Sequence, residues 1–468
     1  MSAMPPVKGA ANTPGEAVKP DPFVSTTNAC KMCKPLGAAL AFMGIEGCVP
    51  FLHGSQGCAT YMRRYVISHF REPVDIASSA LGEKQAIHGG GPNLKLGLLN
   101  VMKKYGATAI GVATTCLTET IGDDVSMLVK EFKKEFGDLP LPEIVHVSTP
   151  SYGGTQAEGF QAALRAVVDQ LATDEAKSTQ VNVLSNFVSC EDIRHLKDLF
   201  EDFGLNAAIL PDYSERLDGP ALEDYVKIAP GGTPVARIRA MGGARATIEF
   251  GRVLDPEKSA GGLLAERFSV PLHSLGLPVG LRECDAFFGV LEEISGRPLP
   301  RRHELARGRL VDAYVDGHKY LSGKTAVVYG EEDLVVAMCA FLSEIGVKPV
   351  LAASGGQSGR LAGAVSAVTA DILREPPEVR EGVDFYEIAA RARELSPDLV
   401  IGNSKGYRVL GRELDIPLIR VGFPIHDRFG AQRVLHLGYA GTQRLFDQIV
   451  NAVIEKKQAD SDVGYGYI

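Results

Sequence analysis

The chain has 468 residues, too many for one hydrophobic core, so two to four domains are expected. Hydrophobic residues make up 45% and charged residues 23%, ordinary proportions for a soluble globular protein. A net charge of −8 argues against nucleic acid as the main partner, and no apolar run reaches the roughly 18 residues that suggest a membrane span.

Residues 1–22 carry Pro5, Pro6, Pro14, Pro20 and Pro22 with few large apolar side chains, which predicts a disordered or loosely docked arm. This N-terminus has no charged-then-apolar signal pattern, so a cytoplasmic protein is expected. In that reducing compartment the eight cysteines are core residues, reactive thiols or metal ligands rather than structural pairs.

From Phe23 onward, short apolar runs alternate with amphipathic stretches. Strands are predicted at 109–113, 144–147, 181–184, 207–210, 325–329, 349–352, 399–402 and 417–421. Helices are predicted at 126–136, 157–171, 191–203, 303–321, 331–345 and 442–456. Most of the strand runs are continuously apolar, as parallel strands buried on both faces require. The βαβα rhythm predicts an α/β fold of doubly wound parallel sheets. It restarts near 174–180 and near 296–302, which predicts three α/β domains at 23–178, 179–298 and 299–468.

Three cysteines stand in settings that core packing does not explain. They are Cys33 before Lys34-Pro35-Leu36-Gly37, Cys58 closing His53-Gly54-Ser55-Gln56-Gly57, and Cys116 after Thr114-Thr115. In a parallel sheet, ligands bind beyond the carboxyl ends of the strands. Cys116 follows the run 109–113, Ser151 follows 144–147, and Cys58 closes a loop after the apolar run 49–52. Three thiols and a hydroxyl, far apart in sequence, are therefore expected to meet at one edge. Three thiolates are one short of a closed tetrahedral site. The remaining ligand is an exogenous group, a residue of another chain, or part of a larger cluster.

Other features have plainer readings. Cys190, Cys284 and Cys339 read as small buried hydrophobes, although Cys284 beside Asp285 also suits a helix start near the surface. Cys30-x-x-Cys33 suggests a zinc half-site or a redox pair, but nothing completes a zinc site. The glycines of the 53–58 motif suggest positive φ and clustered amides, without the lysine of a phosphate loop. Gly89-Gly90-Gly91 reads as a flexible loop. Glu119, Asp123 and Asp124 read as charges at a helix start, and His426-Asp427-Arg428 as a structural or functional turn. His69 and Arg71 either pack or shape the field of the site.

Taken together, these motifs resemble the β-type subunit of nitrogenase component 1 and its relatives. The resemblance rests on Pro35-Leu36-Gly37, the 53–58 motif, His69-Phe70-Arg71-Glu72-Pro73, Thr114-Thr115-Cys116, Ile121-Gly122-Asp123-Asp124 and Thr149-Pro150-Ser151. Val421-Gly422-Phe423-Pro424 and His426-Asp427-Arg428 extend it into the third domain. It implies the three-domain fold of that family. It implies that Cys33, Cys58 and Cys116 hold half of a P-cluster-type iron–sulfur cluster, [8Fe-7S] or [4Fe-4S], shared with an α-type subunit. Ser151 is then a redox-dependent ligand and Cys30 a bystander. The implied assembly is an α2β2 heterotetramer served by an ATP-dependent iron protein, with the catalytic iron–sulfur cofactor in the α-type partner. Around the strand where α-type chains carry a cofactor cysteine, this chain reads Ala246-Thr247-Ile248-Glu249-Phe250. The start 28–33 and the ending 462–468 look most like nitrogenase-like reductases such as methylthio-alkane reductase. The alternatives are the scaffold for iron–molybdenum cofactor biosynthesis and the β-subunit of a dinitrogen-reducing enzyme.

Overall fold

The computed structural model describes residues 29–464. The predicted arm at 1–22 and the last four residues lie outside them. Thirteen named strands form three sheets, and every named strand pairing is parallel. The first sheet contains β1 (Cys48–His53), β2 (Ala77–Ser78), β3 (Ala109–Thr114) and β4 (Glu143–Val147), in the order β2-β1-β3-β4. The second contains β5 (Gln180–Leu184), β6 (Asn206–Leu210), β7 (Ala246–Phe250) and β8 (Leu272–Leu275), in the order β6-β5-β7-β8. The third contains β9 (Thr325–Gly330), β10 (Lys348–Ser354), β11 (Glu378–Arg380), β12 (Leu399–Gly402) and β13 (Leu418–Arg420), in the order β11-β10-β9-β12-β13.

Each sheet winds outward in two directions from its first strand. The strand order therefore reverses between β1 and β3, between β5 and β7, and between β9 and β12. Crevices open beyond the carboxyl ends of such strand pairs. Every predicted strand and helix forms, with ends shifted by a few residues. One hydrophobic cluster runs through all three sheets, from Leu52 through Val183 to Val328.

A close helix pair sets the position of the first sheet's loops. The helix Lys34–Met43 packs on Gln156–Leu171, and glycines stand at the crossing. A Cβ on Gly37 would overlap the Gln156 carbonyl oxygen, and one on Gly159 would overlap the Lys34 carbonyl oxygen. The helices therefore meet backbone to backbone. This brings Cys33, just before the first helix, into an antiparallel bridge with Thr155, just before the second.

Candidate functional site

All three singled-out cysteines stand at helix starts. Cys33 is the N-cap of Lys34–Met43, Cys58 is the third residue of Gln56–Phe70, and Cys116 is the first residue of Cys116–Ile121. Cys58 therefore sits in a first helical turn rather than closing a loop. The amide-rich, positive ends of three helices favour bound anionic groups, by typically about 0.3–1 kcal/mol per end. Cys58 and Cys116 also follow β1 and β3, so they flank the reversal point of the first sheet.

Neither Gly54 nor Gly57 adopts positive φ, contrary to the expectation for this motif. Gly54 is required for space instead. A Cβ there would overlap the Thr115 side chain, so the β1 and β3 loops lie in contact. Hydrogen bonds join them. Thr115 N donates to His53 O at 3.1 Å, and Thr118 Oγ1 donates to the same oxygen at 2.9 Å. The His53 ring, fully buried, bridges Ser79 Oγ at 2.9 Å and Asp123 at 3.1 Å. Burial holds its pKa below the usual value, against the pull of Asp123. Asp123 also accepts from Gly90 N at 3.0 Å, so the Gly89–Gly91 segment is tied to the site rather than free. Asp124 caps the helix Val125–Glu135 through Met127 N, as the charge pattern suggested.

The β4 loop is stitched to β3 in turn. Thr149 N donates to Thr114 Oγ1 at 2.7 Å, and Thr149 Oγ1 donates to Thr114 O at 2.8 Å. This places Ser151 beside Cys116. It is the backbone N–H of Ser151 that meets Cys116 Sγ, at 3.2 Å. Ser55 Oγ lies 3.5 Å from Cys58 Sγ, a contact sequence reasoning missed although Ser55 stands inside the motif. From the third sheet, Lys405 Nζ donates to the carbonyls of Ala29 at 2.5 Å and Lys31 at 3.3 Å, holding the strip that leads to Cys33.

Accessibility separates the cysteines into two groups. Cys33, Cys58 and Cys116 are partly exposed, and the other five are buried. Burial pushes the thiols of Cys30, Cys48 and Cys339 up to about 12, and those of Cys190 and Cys284 upward as well. These five stay protonated and inert. Cys284 lies inside the helix Leu281–Ser295 with no exposure, which corrects the surface alternative. Cys30 does precede a helix with Cys33, but its burial excludes a freely exchanging redox pair. Among the described residues no three His, Cys, Asp or Glu side chains come close enough to hold one metal ion. Separated, accessible thiols at helix starts suit a polynuclear group reached from an open edge, not a single enclosed ion.

His69 and Arg71 belong to packing rather than to the thiol edge. Ile425 N donates to His69 Nδ1 at 2.9 Å, and Arg71 donates to His426 O at 3.2 Å. Asp427 receives Arg420 on both oxygens, at 2.7–2.9 Å, which fixes the turn after β13. Burial pulls the His69 pKa down to about 3. Its folded pKa lies below the unfolded value of about 6.5, so the unfolded chain binds the extra proton. His69 therefore costs nothing above pH 6.5 and destabilises progressively as pH falls toward 3. Its share is about 2 kcal/mol lost between pH 8 and pH 5. Urea unfolding of wild type and His69→Gln at both pH values should show a shallower pH dependence in the variant.

Residues 33–454 match the family model described as nitrogenase component 1 type oxidoreductase. The chain belongs to this family. The nitrogenase molybdenum-iron protein beta chain of Clostridium pasteurianum is 33% identical, over 92% of this chain and 93% of its own length. The nitrogenase iron-molybdenum cofactor biosynthesis protein NifN of Bradyrhizobium diazoefficiens is 34% identical, over 91% and 89%. The nitrogenase vanadium-iron protein beta chain of Trichormus variabilis is 32% identical, over 92% and 94%. A solved structure of nitrogenase Cp1 at pH 6.5 superposes with a TM-score of 0.91 at 31% identity, covering 97% of this chain and 98% of that one. The three doubly wound parallel sheets are thus the nitrogenase component 1 fold. No described helix is long and apolar enough to cross a membrane.

Proposed function

We propose that this chain is the β-type subunit of a nitrogenase-like reductase complex and relays electrons to a catalytic cluster in an α-type partner. The observation that carries the reading is the set of three accessible cysteines at helix starts, two of them directly after β1 and β3 at the reversal point of the first sheet. In this reading Cys33, Cys58 and Cys116 are iron ligands of a P-cluster-type group shared across the subunit interface, and Ser151 joins them in one redox state. When bound, that group stores electrons and passes them on. The chain's own part is to aim three thiols and three helix ends at it, with the Ser151 N–H holding Cys116 Sγ in place. Tyr152 beside Ser151 and Tyr61 one turn after Cys58 are exposed, and they supply apolar surface on which a partner can seat. The partners are the α-type subunit in an α2β2 heterotetramer and an ATP-dependent iron protein, in the cytoplasm. Residues 23–178, 179–298 and 299–468 are taken as its three domains.

The resemblance of the two termini favours a reductase that cleaves carbon–sulfur bonds, as methylthio-alkane reductase does. The 34% identity to a cofactor biosynthesis protein supports a second reading, an assembly scaffold. The 33% identity to a molybdenum-iron beta chain supports a third, dinitrogen reduction. Anaerobic co-purification with the partner, iron quantitation and a substrate screen separate them. Supplied with iron protein and ATP, the complex is expected to release thiol or hydrocarbon from methylthio-ethanol or dimethyl sulfide. Ammonia from dinitrogen would favour the third reading. No product from an iron-loaded complex would favour the scaffold, and an iron-free complex would overturn the shared cluster.

A further inference from the structure

Behind the strip that carries Cys33, the molecule holds a second feature. A cavity of about 70 Å³ lies where loops from the second and third sheets converge. Asn186 and Phe187 reach it from the end of β5, Glu331 from the end of β9, and Asn403 from the end of β12. These are the strands at which the order of both sheets reverses, the crevice where open α/β sheets take ligands. The first-sheet unit contributes Gln156, the first residue of the helix Gln156–Leu171.

Gln156 is the telling residue. It is 1% exposed, yet neither its amide nitrogen nor its amide oxygen has a hydrogen-bond partner. His436 Nε2, also on the cavity wall, is likewise buried without a partner. Buried polar atoms are nearly always paired, and leaving them unpaired is costly. Three such atoms around one cavity call for an occupant that carries both a donor and an acceptor.

The walls restrict its charge and size. No lysine or arginine lines the cavity, so an anion has no counter-charge. Of the three carboxylates, Glu331 accepts from Thr155 Oγ1 and burial raises its pKa to about 7, which favours its neutral form, and the other two are engaged more fully. Asp333 accepts from Arg252 N, Val253 N and Asn186 Nδ2, and Asp192 from His436 N, Leu437 N and Ser189 N. A cation would find few free oxygens. Most of the remaining wall is apolar, with Leu277, Val279, Leu334, Met338 and Phe423, beside the polar groups of His69, Ser189 and Asn403. The volume accepts about five water-sized groups.

We propose that this cavity is a binding site for a small uncharged molecule that presents a donor and an acceptor side by side, as a primary carboxamide does, on a short apolar body. Gln156 pairs with that polar edge and the aliphatic wall covers the rest. The test is calorimetry on the full chain in its purified complex, with propionamide as the probe and propionate as the charged control. Propionamide is expected to bind saturably to wild type, at least tenfold more weakly to Gln156→Leu, and propionate at least tenfold more weakly than propionamide. Leu334→Phe keeps Gln156 but fills the space, and it is expected to abolish binding with circular dichroism unchanged, so the test stands even if Gln156→Leu fails to fold. Absence of saturable binding to wild type, equal binding by a folded Gln156→Leu or Leu334→Phe protein, or equal binding of propionate would overturn the site.

Discussion

Cys58→Ala and Cys116→Ala are each expected to strip the anaerobic complex of its shared cluster. Iron–sulfur absorption, the cluster's EPR signals and turnover should be lost together. Both side chains are partly exposed at the starts of helices, and removing a thiol there leaves no cavity in a packed core. The stability cost should therefore stay within about 0.5 kcal/mol. Cys339→Ala supplies the contrast. Its thiol is fully buried in the helix Glu332–Glu344, so the substitution should cost about 1 kcal/mol and leave the iron content untouched. Wild-type iron and EPR signals in either of the first two variants would remove that cysteine from the ligand set.

A second large effect is expected far from any thiol. Gly159→Ala adds one methyl group, which would overlap the Lys34 carbonyl oxygen. The two helices must then move apart, at a cost of about 3 kcal/mol. Cys33 precedes Lys34 directly, so the shift should also weaken cluster retention. Gly289→Ala is the control. That residue is exposed in the helix Leu281–Ser295, with open space where a Cβ would stand. It should stabilise by about 0.5–1 kcal/mol through helix propensity. Urea unfolding of both variants reads the difference in sign. Equal midpoints would show that the helix pair yields without strain.

The strands were legible because burial on both faces leaves a continuous apolar run, as in Ala109–Thr114. Elements that carry no such mark were missed. Glu378–Arg380 is a half-buried polar edge strand of three residues, and Leu272–Leu275 is a half-buried edge strand. The helix Lys34–Met43 is buried on almost every side, so it shows no amphipathic period. At the thiol edge, unusual neighbours marked the cysteines, and the strand rhythm showed that the loops share one end of a sheet. Their placement at helix starts was hidden, because glycines in the 53–58 motif read as turn residues. The role of Gly54 depends on Thr115, 61 positions on in sequence (115 − 54) but adjacent in space, and single-residue reasoning cannot see that approach. The cavity at Gln156 was hidden for the same reason, since its lining comes from loops far apart in sequence.

The strip from Ala29 to Cys33 has a further consequence for how the molecule is made. Its carbonyls are held by Lys405, Ala29 pairs with Asp384, and Thr155 next to Cys33 donates to Glu331. A ribosome delivers the 29–33 strip before Asp384 and Lys405, which hold it from the third sheet. Domains fold in the order of synthesis, N-terminal first. The first sheet and the Thr155 bridge to Cys33 can form early, but the carbonyls of Ala29 and Lys31 stay unheld until the third sheet closes on them. The strip that leads to Cys33 is thereby completed only after the third sheet has been made.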